Sequence, residues 1–227
     1  MLTKEFLNKP KVDLHCHLDG SLMLKSMGEI LGKEVCEQEV RVGENCSSLA
    51  EYLQKFDLPI RCIQTEAGLK KSAKDFLLGL REDNVKYAEV RFAPFFSCGG
   101  GLNCRQVMEA VLDGLKEASA ECGILYQVIA CNMRHLDEEN NIRMMEECRE
   151  FLGEGLCAVD LAGDEAGLPN GKFKKLFEAA KKLDYPYTIH AGVLFEVSFQ
   201  FFSLRSNSSR PSFAFFACSS RIKALMR

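Results

Sequence analysis

The chain has 227 residues, 47% of them apolar and 27% charged, with a net charge of −3. At roughly 150 residues per domain that length carries one or two domains with a sizeable core, and 29 basic against 32 acidic residues exclude a nucleic-acid footprint and a collagen-like or disordered chain. Met1–Lys11 lacks the apolar stretch of a secretory signal, no run approaches the ~18 apolar residues of a membrane helix, and the 11 cysteines, never spaced C-x-x-C, read as reduced and mostly buried thiols of a cytoplasmic protein.

Strand and helix signals alternate along the chain. Lys11–Leu18 alternates, with Val12, Leu14, Cys16 and Leu18 on one face and Asp13, His15 and His17 on the other. The stretch from about Ser21 to Leu80 is mostly helical, long for one crossover, and reads as an insertion above the first strand, where lids sit. Val85–Phe92 and Ile124–Cys131 are runs of strand length, separated by a helix that opens with the capping box Asn103-x-x-Gln106 and buries Val107, Val111, Leu115 and Ala118. Ile142, Met145, Cys148 and Phe151 mark the next helix, and Leu156–Ala162 the fourth strand. Phe173, Leu176, Phe177, Ala180 and Leu183 mark a last helix before Pro186–Ala191, the fifth strand. Strands separated by helices imply βαβ units and a parallel sheet.

Near residue 192 the composition breaks. All 17 glycines lie at or before Gly192, whereas residues 193–227 hold seven of the 16 phenylalanines and a single acid, Glu196. We therefore divide the chain into a folded part, 1–192, and a Phe- and Ser-rich tail, 193–227, that reads as out-of-frame or read-through sequence rather than a domain.

The residues that carry chemistry are VDLHCHLDGS, 12–21. In a strand His15 and His17 share a face with Asp13, and two imidazoles at that spacing bind one metal or form an exposed polar edge. A third histidine, His190, ends the fifth strand. In one parallel sheet all three lie on the C-terminal rim, where ligands collect, and three imidazoles leave a coordination position open. His135, after the third strand, is a fourth rim group or a polar loop residue. Gly163, after the fourth strand, is a close-approach glycine or a plain loop glycine. Asp160, inside an apolar strand, is costly to bury unless paired. The glycine-rich loop after Ser97 lacks the lysine and spacing of a phosphate-binding loop.

PKVDLHCHLDGS, KFDLP (55–59), VRFAP (90–94), VDLAGDE (159–165) and TIHAG (188–192) resemble the adenosine deaminases of the amidohydrolase superfamily, over essentially all of residues 10–192. The resemblance implies an α/β fold of the (β/α)8 barrel type. It also implies a zinc ion and hydrolysis of adenosine or deoxyadenosine to inosine or deoxyinosine, a step of purine metabolism. By motif, His15, His17 and His190 become zinc ligands. His17 and Asp19 touch the nucleoside, Asp19 through a ribose hydroxyl, and Gly163 meets the purine through its backbone amide. Phe56 and Leu58 belong to an apolar lid. HLDG, where relatives acting on free adenine more often carry HLEG, favours a nucleoside. The Cys-rich signature of deaminases acting on cytosine in nucleic acid is absent.

The chain also departs from the family. After His-Ala-Gly the family has a glutamate that protonates the purine ring; here it is Val193. Further on the family supplies a water-orienting histidine and an aspartate pair, but residues 193–227 contain neither His nor Asp. No catalytic acid is retained. About five of eight barrel strands are recognisable, so the expectation is an incomplete barrel, truncated or frameshifted after about residue 192, with two exposed strand edges that invite self-association. Alternatives are a deaminase of another aminopurine or of an N6-modified adenine nucleoside, and a non-catalytic product that binds metal or a partner copy.

Overall fold

The structure, a computed structural model, describes residues 8–42, 54–165 and 167–191. Val193, the whole tail and the boundary at Gly192 lie outside the described residues. Five parallel strands form one sheet: β1 (Lys11–His17), β2 (Val85–Phe92), β3 (Leu125–Met133), β4 (Leu156–Ala162) and β5 (Tyr187–Ile189). Their spatial order is their chain order, and every neighbouring pair is parallel. Each connection is a helical crossover, which is the (β/α) repeat expected from the alternating pattern.

The segment between β1 and β2 carries four helices among the described residues: α1 (Leu24–Leu31), α2 (Glu37–Val40), α3 (Asp57–Cys62) and α4 (Glu66–Leu80). The remaining crossovers use α5 (Cys104–Cys122), α6 (Glu138–Glu147) and α7 (Lys174–Lys182). The capping box read from the sequence starts α5. Asn103 Oδ1 accepts from the Gln106 N–H at 2.9 Å, and Gln106 Oε1 accepts from the Asn103 N–H at 3.1 Å. Gly123 ends the helix at φ +72°, a left-handed turn that suits a residue without Cβ. Val107, Val111, Leu115 and Ala118 are fully buried, as their spacing predicts. Where α4 and α5 cross, a Cβ on Gly114 would lie 2.2 Å from the Lys70 carbonyl oxygen, so only glycine permits that approach.

Strand limits match the sequence reading at β2 and β4 and differ by a few residues elsewhere. β3 runs on to Met133, two residues beyond the expected Cys131, because Asn132 and Met133 go on pairing with Leu161 and Ala162 of β4, and the Asn141 side chain also bonds both backbone groups of Met133. Its Oδ1 accepts at 2.9 Å and its Nδ2 donates at 3.0 Å. β5 is shorter than Pro186–Ala191, although its hydrogen bonds reach both ends: Val159 N–H donates to the Pro186 carbonyl and His190 N–H to the Leu161 carbonyl.

One face of the sheet packs under the helices through Cys16, Ala88, Val90, Phe92, Val128, Ala130, Val159 and Leu161. Burying such side chains is worth about 1.5–3 kcal/mol each for the larger ones. The other face carries Arg91, Cys131 and Asp160 beneath the rim. On the two border strands, which pair on one side only among the described residues, Val12 and Leu14 are 61% and 55% exposed and Tyr187 is 51% exposed. No helix of the described residues is long and apolar enough to cross a membrane.

Candidate metal centre

His15 and His17 extend from β1, and His190 follows β5, at opposite borders of the sheet. Four strand spacings of about 4.8 Å would put those borders roughly 19 Å apart in a flat sheet. Instead Nε2 of His190 lies 3.0 Å from Nε2 of His15 and 3.2 Å from Nε2 of His17. The sheet is therefore curled like part of a barrel wall, and its curl brings three imidazoles to one point. Among the described residues these three form the group that could hold a metal ion, with ligand atoms all within 4.8 Å of one another.

The chemistry of the donor set fits a cation. Nδ1 of His190 is hydrogen-bonded to Oδ2 of Asp160, so the proton sits on Nδ1 and the Nε2 lone pair faces the other two rings. Burial, with help from Arg91 and the two neighbouring histidines, pushes the His15 pKa down to about 3, so this ring is a neutral donor at ordinary pH. Three ring nitrogens converging on one point cannot all satisfy one another by hydrogen bonds, and a divalent cation would answer all of them.

Asp160 is 1% exposed and is the anchor beneath the rings. Burial alone would raise its pKa, but hydrogen bonds from His190 and Thr188 and the nearby Arg91 guanidinium hold it at about 2. Thr188 Oγ1 donates to Asp160 Oδ1 at 2.6 Å, while Arg91 Nη2 donates to the Leu14 carbonyl at 3.0 Å and Nη1 lies 3.9 Å from Asp160 Oδ2. Thus the acid that looked expensive in an apolar strand is fully paired. Arg134, also buried, holds the rim from the outside. It donates to the carbonyls of Leu168 (2.8 Å) and His190 (2.7 Å) and to Asn170 Oδ1 (2.6 Å).

The other sequence candidates fall at various distances from the rings. Asp19 is 7% exposed, its Oδ1 lies 3.7 Å from His17 Nδ1, and that buried oxygen accepts no hydrogen bond. Such an orphaned acceptor fits a ligand hydroxyl. Gly163 follows β4 at φ +107°, a conformation costly for other residues, with Arg134 and His135 beside it. His135 stands outside the metal group and stacks on Phe96 at 5.5 Å between ring centroids. Phe56 lies over the turn after β1, its ring 3.0 Å from where a Gly20 Cβ would be, whereas Leu58 is buried in the main core. Thr188, Arg91, Arg134 and Phe96 were not singled out from the sequence. A charged residue inside the apolar run VRF was the available signal for Arg91.

The adenosine deaminase family model matches residues 10–200. Curated relatives include an adenosine deaminase of Clostridium botulinum (strain 657 / Type Ba4), 39% identical over 82% of this chain and 60% of the relative. An adenosine deaminase of Clostridium acetobutylicum is 36% identical over 84% of this chain and 60% of the relative. The chain thus spans about 60% of the length of these relatives. Similar solved structures include a zinc-bound amidohydrolase from Burkholderia ambifaria, with TM-score 0.73 and 20% identity over 85% of this chain and 56% of that one. The arabidopsis N6-mAMP deaminase has TM-score 0.69 and 25% identity over 84% of this chain and 61% of that one.

Proposed function

The chain belongs to the adenosine deaminase family, and from that premise we propose that its described residues carry the metal-binding and nucleoside-binding side of such a site, with Val193 at the position of the family's proton-donating glutamate. The observation that carries this reading is the convergence of three imidazole nitrogens from opposite borders of the sheet next to a buried, unanswered oxygen of Asp19. His15, His17 and His190 would hold zinc. When bound at such a site zinc supplies Lewis-acid chemistry and acidifies water towards neutral pH.

The chain's own residues supply the remainder. Asp160 fixes the His190 ring and its tautomer through Nδ1. Asp19 Oδ1 receives a ribose hydroxyl, and the Gly163 backbone, which carries no Cβ of its own, offers its amide to the purine at the end of β4. Phe56, over the Asp19–Gly20 turn, covers the sugar from the side of the helical insertion. A purine nucleoside is the substrate class this set receives. Losing exocyclic ammonia also needs a proton on the purine ring. Val193 has none to give, and loss of a general acid alone lowers a rate by ~10²–10⁴.

The likeness to the N6-mAMP deaminase supports a second reading within the family, an adenine ring modified at the exocyclic nitrogen. One sample tests both. The purified chain is titrated with zinc, dialysed, analysed for metal, and assayed for inosine from adenosine, deoxyinosine from deoxyadenosine and inosine monophosphate from N6-methyl-AMP. The expected result is zinc taken up but released on dialysis, with product at background for every substrate. Robust turnover of any of them would overturn the absence of an acid, and no zinc uptake would overturn the metal centre.

A further inference from the structure

A pair of thiols outside the metal centre meets where the loop after β2 enters α5. Cys98 lies in the short 3-10 helix Pro94–Gly100, and Cys104 is the first residue of α5. Their Sγ atoms are 3.6 Å apart. Cys104 is 2% exposed and fixed in place: its backbone N–H donates to Glu147 Oε2 at 2.7 Å, and the Asn103–Gln106 capping box holds the turn before it. Cys98 is half-buried and is followed by Gly99, Gly100 and Gly101, the last at φ +92°. One sulfur is therefore anchored and buried, and the other is partly accessible.

The pair is also polarised. A hydrogen bond from the Cys104 thiol pulls the Cys98 pKa down, and the same bond, with burial, drives that of Cys104 up. The thiolate is the attacking species in thiol–disulfide exchange, so the accessible sulfur is the one prepared to react. Among the other described cysteines, Cys16, Cys62, Cys131 and Cys148 are buried, and burial raises the pKa of each.

We propose that Cys98 and Cys104 form a reversible oxidation site whose substrate is a low-molecular-weight disulfide. The Cys98 thiolate attacks one sulfur of that disulfide, forming a mixed disulfide and expelling one small thiolate, which takes up the proton lost by Cys98. The Cys104 sulfur then attacks the Cys98 sulfur, the second small thiolate leaves with the Cys104 proton, and the protein bond closes. Two protein thiols are oxidised and one small disulfide is reduced to two thiols. Closure to a bond of about 2.05 Å requires the sulfurs, 3.6 Å apart, to approach by about 1.5 Å.

The loop that moves is tied to the rim. A Cβ on Gly100 would lie 2.1 Å from the Gln64 carbonyl oxygen, and Gln64 Nε2 donates to the Phe96 carbonyl at 2.8 Å. Phe96 in turn stacks on His135. Closing the pair thus tethers a rim loop to the helix behind it.

Trypsin makes the test direct, since cleavage after Arg91 and Arg105 places both cysteines in the single peptide Phe92–Arg105. The reduced, natively folded chain is treated with oxidised glutathione, quenched with an alkylating reagent, digested and weighed. The expected peptide is lighter by two hydrogens and free of alkyl groups, and dithiothreitol restores two alkylation sites. Cys104→Ser is expected to trap glutathione on Cys98. The site is overturned if the wild-type peptide stays doubly alkylated while exposed Cys36 becomes glutathionylated, or if the wild-type chain keeps a stable glutathione adduct on Cys98. The wild-type map decides even if Cys104→Ser does not fold.

Discussion

Nδ1 of His190 and Oδ2 of Asp160 share a hydrogen bond although 30 residues separate them in the chain. That bond selects the ring tautomer whose free nitrogen meets His15 and His17. Partners of this kind typically set metal affinity by 10–100-fold. Asp160→Asn is therefore expected to weaken zinc binding by about 10-fold or more, read by competition with a chromophoric chelator. Unchanged affinity would mean the carboxylate serves only the fold.

Zinc should act as a staple between β1 and the end of β5. A ligand present at 100 times its dissociation constant stabilises by about 2.7 kcal/mol. Melting in the presence of excess zinc should therefore shift upwards by several degrees, and a chelator should reverse the shift. His190→Ala should abolish the zinc-dependent shift, because among the described residues it is the one ligand from the far border. If the variant and the wild type respond alike, the cation binds elsewhere.

Asp19→Asn probes the nucleoside rather than the metal. The Oδ1 atom accepts no hydrogen bond from the described residues, so the change should leave the melting temperature nearly unaltered. A hydrogen bond to a charged group contributes about 1.5–3 kcal/mol, so adenosine binding to the chain should weaken by about 10–100-fold in equilibrium dialysis with excess zinc in both chambers. Zinc stoichiometry should not move.

Gly163→Ala should cost stability whatever the ligand. The backbone there sits at φ +107°, while an added Cβ would meet only ordinary contacts at 3.5 Å and beyond. The penalty is therefore conformational, about 1–3 kcal/mol, and should appear as a lower midpoint in urea.

Leu14 is 55% exposed on a border strand. Leu14→Lys is expected to reduce concentration-dependent association in light scattering without lowering the melting temperature, as charged residues blunt strand edges. An unchanged association would place the sticky surface elsewhere.

Local signals carried most of the architecture. The period-2 pattern of β1 put His15 and His17 on one face, the capping box located the start of α5, and the apolar runs located β2 and β4 to the residue. Longer-range partners stayed hidden. Nothing in a single sequence says that Thr188 and Arg91 meet Asp160, because each depends on the register of a parallel ladder built from distant segments. The end of β3 was missed for the same reason, since its last residues, Asn132 and Met133, are strand by pairing with Leu161 and Ala162. Leu58, assigned to a lid by motif, has its side chain in the main core, a packing partner that no local signal reveals.

Arg134 grips a carbonyl before α7, an amide oxygen two residues later and the carbonyl of His190 with one guanidinium. Three successive rim loops therefore share a single clasp and cannot drift independently. Insertions after β3 or β4 would be transmitted to the third imidazole, so loop lengths in related chains should vary on the opposite end of the sheet before they vary here.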